Sequence, residues 1–124
     1  MKANPVVWFE IYVQNMERAK HFYESVLQVP LQKLEAPLPG LEMWQFPADA
    51  SGVGASGTLV KMEGVPSGGV STVVYFRCAD CAVEEKRVVR CGGRIHRSKT
   101  SIGQYGFISL AYDTEGNMFG LHSM

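Results

Sequence analysis

The sequence predicts an α+β fold: two βαβββ modules forming a curled mixed sheet around a cleft, with the helices outside. Three observations predict it. One order of elements, a strand, a helix and three strands, is written twice along the chain. The first strand of the second copy mirrors that of the first at a shift of 65 residues. Each helical segment also carries its own start and stop signals. Neither half could bury both faces of its sheet alone, so pairing the halves completes the core. With 124 residues and 46% hydrophobic content the chain fits one domain with a real core. Module one runs from about 5 to 63, a connector from about 64 to 70, and module two from about 71 to 124.

In the first strand, Val6 to Val13, the apolar residues Val7, Phe9, Ile11 and Val13 alternate with Trp8, Glu10 and Tyr12. That period of two gives one core face and one cleft or solvent face. Asn15 is a good helix N-cap, and Ala19, Phe22, Tyr23, Val26 and Leu27 follow at helical spacing on one stripe. A helix is therefore expected over Met16 to Leu27, ended by Pro30. Strands follow at Leu31 to Ala36, Leu41 to Phe46 and Thr58 to Met62, with turns at Pro37-Leu38-Pro39-Gly40 and a glycine-rich loop at Ser51 to Gly57.

The second copy starts at Ser71 to Cys78, where Thr72, Val74, Phe76 and Cys78 take the places of Val7, Phe9, Ile11 and Val13. Asp80 stands where Asn15 did, and the helix Cys81 to Cys91 stops at Gly92-Gly93. Its charged run Glu84-Glu85-Lys86-Arg87 reads as a solvated face. Strands are expected at Arg94 to Ser98, Gly106 to Asp113 and Asn117 to Ser123. Gly52-Val53-Gly54-Ala55-Ser56-Gly57 spells G-x-G-x-x-G, but a dinucleotide site needs a helix after it, and Thr58-Leu59-Val60 is strand-like. That loop and Gly103-Gln104-Tyr105-Gly106 read as cleft rims.

Twelve Lys plus Arg balance twelve Asp plus Glu, so no net field draws in nucleic acid or an anionic membrane. The start, Met1-Lys2-Ala3-Asn4-Pro5, lacks the apolar core of a secretion signal, and the expectation is a cytoplasmic protein. Three cysteines argue against a disulfide framework. Cys78 and Cys81 form a CxxC, but Asp80 beside them opposes thiolate formation, and Cys91 and His96 lack the second paired spacing of a zinc site. They read as packing residues.

Two stretches carry a family resemblance. Asn15 followed by Arg18-Ala19-Lys20-His21-Phe22-Tyr23-Glu24-Ser25-Val26-Leu27 resembles the signature D-x-x-R-A-x-x-F-Y-x-x-x-L-G of glyoxalase/bleomycin-resistance/extradiol dioxygenase proteins, the vicinal oxygen chelate superfamily. Asp113-Thr114-Glu115-Gly116-Asn117-Met118-Phe119-Gly120-Leu121 resembles its closing D-P-E-G-N-x-x-x-L. The chain looks closest to short stand-alone members labelled as related to lactoylglutathione lyase. The resemblance implies paired βαβββ modules, commonly assembled as a homodimer. It also implies four metal-ligand positions, one His or Glu from the first and last strand of each module. Counting from the signatures puts these at Trp8, within Thr58 to Val60, at Val73 and at Gly120. None supplies a carboxylate or imidazole, and the neighbours Val7, Phe9, Thr72 and Val74 do not rescue the first or third position. No metal and no other cofactor is expected.

Period two then assigns the cleft wall: Trp8, Glu10 and Tyr12 from the first strand, Val73, Tyr75 and Arg77 from its counterpart, and Met118, Gly120 and His122 from the last, with Gly120 leaving room at the backbone. Such a wall suits a small organic ligand held by aromatic contact and oriented by Glu10 or Arg77. Glu10 is the candidate catalytic residue, a general base with Tyr12 or His122 as acid in a lyase, isomerase or oxygenase-type enzyme; the plainer alternative is a Glu10–Arg77 ion pair. A third reading places displaced metal ligands at Glu10, Glu42 and His122. His21 is expected in solvent, His96 on a charged edge strand, and Trp44 either over the cleft mouth or in core or dimer packing.

Overall fold

A computed structural model describes residues 4–69 and 71–124. Met1, Lys2, Ala3 and Val70, on which the readings of the chain's start and of the connector partly fall, lie outside them. The chain divides into two compact units, Trp8–Thr72 and Val73–Met124, the latter joined by the described part of Met1–Val7. Each is a four-stranded mixed sheet carrying one α-helix, so the α+β class and the doubled βαβββ order are both present.

In the first unit the strands are β1 (Val6–Tyr12), β2 (Gln32–Leu34), β3 (Leu41–Gln45) and β4 (Ser56–Met62), with α1 (Met16–Leu27) after β1. The strand order is β2-β3-β4-β1, with β1 parallel to β4 and the other pairs antiparallel. Asn15 accepts a hydrogen bond from the Arg18 N–H at 3.0 Å, which satisfies an N–H that the first turn leaves without a partner. At the other end Gln28 takes the left-handed conformation at φ 55°, and the Leu31 N–H donates to Glu24 Oε2 at 2.8 Å.

The core under α1 consists of Val13, Met16, Leu31, Phe46 and Leu59, with Phe9, Ile11, Ala19, Tyr23 and Trp44 packed against it. This is the face of β1 that period two assigns to the helix. The helix stripe itself is narrower than the sequence suggests. Met16, Ala19 and Tyr23 meet the sheet, whereas Phe22, Val26 and Leu27 are 56%, 61% and 52% exposed. A seam at spacings of three and four residues suffices to dock one helix, and Phe22 lies edge-on to Tyr23 at 5.1 Å.

Trp44 belongs to this helix-side packing, under the ammonium of Lys20 at 3.5 Å from its ring centre. Gly57 pairs with Phe9, and a Cβ there would lie 2.6 Å from the Phe9 ring, so only glycine lets that ring lie flat on β4. Ser56 and Gly57 are the first residues of β4, and the lettered G-x-G-x-x-G accordingly runs into a strand, as expected.

The second unit repeats the plan with β5 (Thr72–Arg77), α2 (Cys81–Arg90), β6 (Arg94–Ser101), β7 (Phe107–Tyr112) and β8 (Met118–Ser123), ordered β5-β8-β7-β6. Asp80 caps α2, accepting from the Ala82 N–H at 3.0 Å. Cys78, Cys81 and Leu121 form the core with Phe76, Val88, Phe107 and Phe119. The strand β6 is longer than the sequence indicates, and its register to β7 shifts twice, between Ile95 and Arg97 and between Arg97 and Thr100. Such shifts break period two, which is why its end is hard to read. Gly103–Tyr105, expected as a loop, is a short 3-10 turn. Among the described residues no helix is long and apolar enough to cross a membrane.

Candidate functional site

On the first sheet the face turned away from α1 carries Trp8, Glu10 and Tyr12 on β1. Register places Ser56, Thr58 and Val60 of β4 beside them, and Gln45 and Met43 of β3 beyond Thr58 and Val60. Glu10, Thr58 and Gln45 thus form one polar row across three strands, with Tyr12, Val60 and Met43 as an apolar row next to it. Tyr12 reaches back between the rows, its hydroxyl donating to Glu10 Oε1 at 2.8 Å. Burial first, then the Glu10 charge and that hydrogen bond, raise the Tyr12 phenol far above its ordinary range. Tyr12 therefore stays protonated, a standing donor to the carboxylate and a poor acid.

The corresponding face of the second sheet carries Val73, Tyr75 and Arg77 on β5 and Met118, Gly120 and His122 on β8, paired Tyr75 to Gly120 and Arg77 to His122. Val73 and Tyr75 are buried and Arg77 is exposed. The room expected above Gly120 is occupied: a Cβ there would lie 2.2 Å from the Tyr75 ring. Glycine at this position serves the aromatic side chain on the neighbouring strand. His122 Nε2 lies 2.6 Å from the Tyr105 carbonyl oxygen, which can only accept, so Nε2 carries the hydrogen and Nδ1 is the nitrogen left for other chemistry.

The four positions that the resemblance assigns to metal ligands hold an indole, the strand Thr58 to Val60, an isopropyl group and a glycine. That donor set does not fit a divalent ion, which needs carboxylate or imidazole there. Among the described residues no group of three or more His, Cys, Asp or Glu is placed to hold a metal ion. The displaced set fails on geometry too. Glu42 lies on the α1 side of β3, accepting from the Trp44 indole N–H at 3.0 Å, whereas Glu10 lies on the opposite side of the same sheet.

The CxxC thiols are packing groups. Cys81 has no exposed surface, its sulfur 3.5 Å from that of Cys78 and 3.3 Å from Ser123 Oγ. Burial, followed by the Cys81 hydrogen bond and charge and the nearby Glu84 and Asp80, pushes the Cys78 thiol up to about 12. The charged run of α2 is not wholly solvated: Glu85 accepts from the buried Ser109 hydroxyl and, at 2.6 Å, from the Lys99 N–H. No local sequence signal pointed to that link, because it joins a helix to two strands. Gln45 is a functional candidate that reading the first strand alone misses, and Thr58 is reached only as one of three residues at an assigned metal-ligand position. Extending period two across the β1–β4–β3 pairing would have placed both.

The family model described as Glyoxalase/Bleomycin resistance protein/Dioxygenase superfamily matches residues 6–121. None of the curated proteins matches the chain. Among solved structures, a hypothetical protein from Bacillus halodurans C-125 is similar at a TM-score of 0.75 and 11% identity, covering 99% of this chain and 96% of that one. Methylmalonyl-CoA epimerase from Mycobacterium tuberculosis is similar at a TM-score of 0.69 and 16% identity, with 99% and 92% covered. The Streptomyces coelicolor methylmalonyl-CoA epimerase, in complex with 2-nitronate-propionyl-CoA, is similar at 0.68 and 13%, with 98% of each chain covered. At these identities the likeness is one of fold.

Proposed function

Because the chain belongs to the Glyoxalase/Bleomycin resistance protein/Dioxygenase superfamily, we propose that it binds a small organic molecule on the sheet face bearing Trp8, Glu10 and Tyr12, without the divalent ion of the family's metal-dependent members. The observation that carries this reading is the Tyr12–Glu10 hydrogen bond beside the apolar row of Val60 and Met43. A carboxylate fixed beside an apolar row orients a ligand while that row supplies contact area. Val73, Tyr75, Arg77, Gly120 and His122 are the second module's candidate ligand-binding residues. Titrating the protein with a panel of aromatic metabolites while following tryptophan fluorescence tests the proposal. A saturable change is expected, and its loss in Trp8→Leu, but not in Trp44→Leu, would assign it to this face. Elemental analysis of the purified protein should find no stoichiometric divalent metal.

A second reading is an isomerase, lyase or oxygenase-type enzyme with Glu10 as general base. The Glu10 carboxylate, oriented by the Tyr12 hydroxyl, supports it, as does the fold likeness to epimerases, which are isomerases. Here Glu10→Gln abolishes turnover with the fold intact, and unchanged turnover removes Glu10 as the base. We take the working form to be a cytoplasmic homodimer; sedimentation of the purified protein checks the dimer directly.

A further inference from the structure

One buried group of the first module has no explanation in its folding. Thr58, in the middle of β4, has no exposed surface, and its hydroxyl has no hydrogen-bond partner among the described residues. A hydroxyl taken out of water without a partner destabilises the folded chain. Valine has the same shape, favours strands as strongly, and carries no such penalty. Retaining the hydroxyl here therefore calls for something that uses it.

Register says what stands beside it. Thr58 lies between Glu10 and Gln45 in the polar row, on the face away from α1. We propose that Thr58 is a ligand-binding residue, and that its hydroxyl completes a hydrogen bond with a hydroxyl or amino group of a bound organic molecule whose other polar contact is Glu10. This rests on the small-molecule reading above.

Charge and donor inventory narrow the ligand. Glu10 is an acceptor, already fixed by the Tyr12 hydroxyl, and in a half-buried site it disfavours a carboxylate or phosphate beside it. A threonine hydroxyl both donates and accepts. A ligand hydroxyl can thus donate to Glu10 and accept from Thr58, and an ammonium can donate to both. The neighbouring row of Tyr12, Val60 and Met43 suits an apolar body attached to that group. Reaching Thr58 requires a side chain of the polar row to turn aside, and the half-buried, flexible Gln45 is suited to do so.

Four probes of one ring each separate the possibilities: benzyl alcohol, benzylamine, toluene and benzoate, titrated against the full chain with the Val60 methyl signals as the NMR reporter. Benzyl alcohol and benzylamine are expected to bind about tenfold tighter than toluene or benzoate. Thr58→Val should lose about that tenfold for the alcohol and the amine, leave toluene unchanged, and melt a few degrees higher than the parent. Thr58→Ser should keep the preference. If the valine variant does not fold, Thr58→Ala carries the same expected loss of binding.

If Thr58→Val binds the alcohol and amine like the parent, or benzoate is the preferred probe, the inference falls while the binding reading stands. If Thr58→Val melts lower with binding unchanged, the hydroxyl has a purely structural partner and the inference again falls. If no probe moves the Val60 signals of the parent protein, the binding reading falls and takes the inference with it.

Discussion

A single side chain's chemistry here depends on which face of its strand it occupies. Glu10 and Phe9 are adjacent in sequence, yet one accepts a hydrogen bond from Tyr12 and the other packs under α1 on the ring of Phe46, 5.5 Å away between centres. The three cysteines show the same dependence on place. Cys91 follows α2 in the open, whereas Cys78 and Cys81 are sealed between α2 and the sheet. A thiol reacts through its thiolate, and the Cys78 thiolate is disfavoured by burial and by neighbouring negative charge. Brief treatment of the native protein with iodoacetamide at pH 8 should therefore modify Cys91 alone, with Cys78 and Cys81 labelled only in denaturant. Mass spectrometry of tryptic peptides reads this directly, and early labelling of Cys78 would contradict a packing role.

The two helices were legible from sequence because their signals are local. Asn15 and Asp80 sit one residue before the first helical residue, and each side chain accepts from an N–H two or three residues on. What lies beneath a helix is not local, and there the sequence misleads. Leu27 and Leu59 are the same residue type, and Leu27 reads as part of the apolar stripe; it is 52% exposed, while Leu59 has no exposed surface under α1. Leu59→Ala should cost about 3 kcal/mol of unfolding free energy, because it leaves a cavity in a packed core. Leu27→Ala should change stability by no more than about 0.5 kcal/mol, as alanine suits a helix and little burial is lost. Urea titration of both variants measures the difference, and equal losses would mean that the last turn of α1 is packed after all. The end of β6 was unreadable for a different reason: its two register shifts put consecutive residues out of alternation, so no periodic pattern marks the strand's length.

For the whole chain, doubling of the element order made the fold legible, since each copy corroborates the other. Which residues share the candidate face was legible along β1, β5 and β8, where period two assigns faces. The place of Thr58 between Glu10 and Gln45 needed the strand pairing, and the ring of Tyr75 over Gly120 needed coordinates, because neither strand's own sequence says what the next strand brings. A property belonging to the whole chain is its stability against pH, where groups from both units act with the same sign at each extreme. Asp49, held down first by the Ser51 hydroxyl, Asp80, by Lys99, and Asp113, by Asn117, all titrate below the ordinary carboxylate range. A depressed folded value means that their contribution is present above about pH 4 and fades as pH falls through the depressed values. Asp49 and Asp113 are exposed and Asp80 is half-exposed, so this acid flank should be shallow. On the alkaline side Cys78 rises from 9.0 to about 12, Tyr12 is raised by burial, and Lys99 is raised by its hydrogen bond to Asp80. For each, the folded chain holds a proton that the unfolded chain releases first, so stability is full below about pH 9 and declines as pH climbs from there toward 12. Urea midpoints at pH 7, 7.5 and 10.5 should therefore be level between the first two and fall at the third. Cys78→Ala should delay the fall to the pH at which an unfolded tyrosine begins to ionise, about 10. A midpoint unchanged at pH 10.5 would mean that Cys78 and Tyr12 ionise as freely in the folded chain as in the unfolded one, and hence that neither is buried as described.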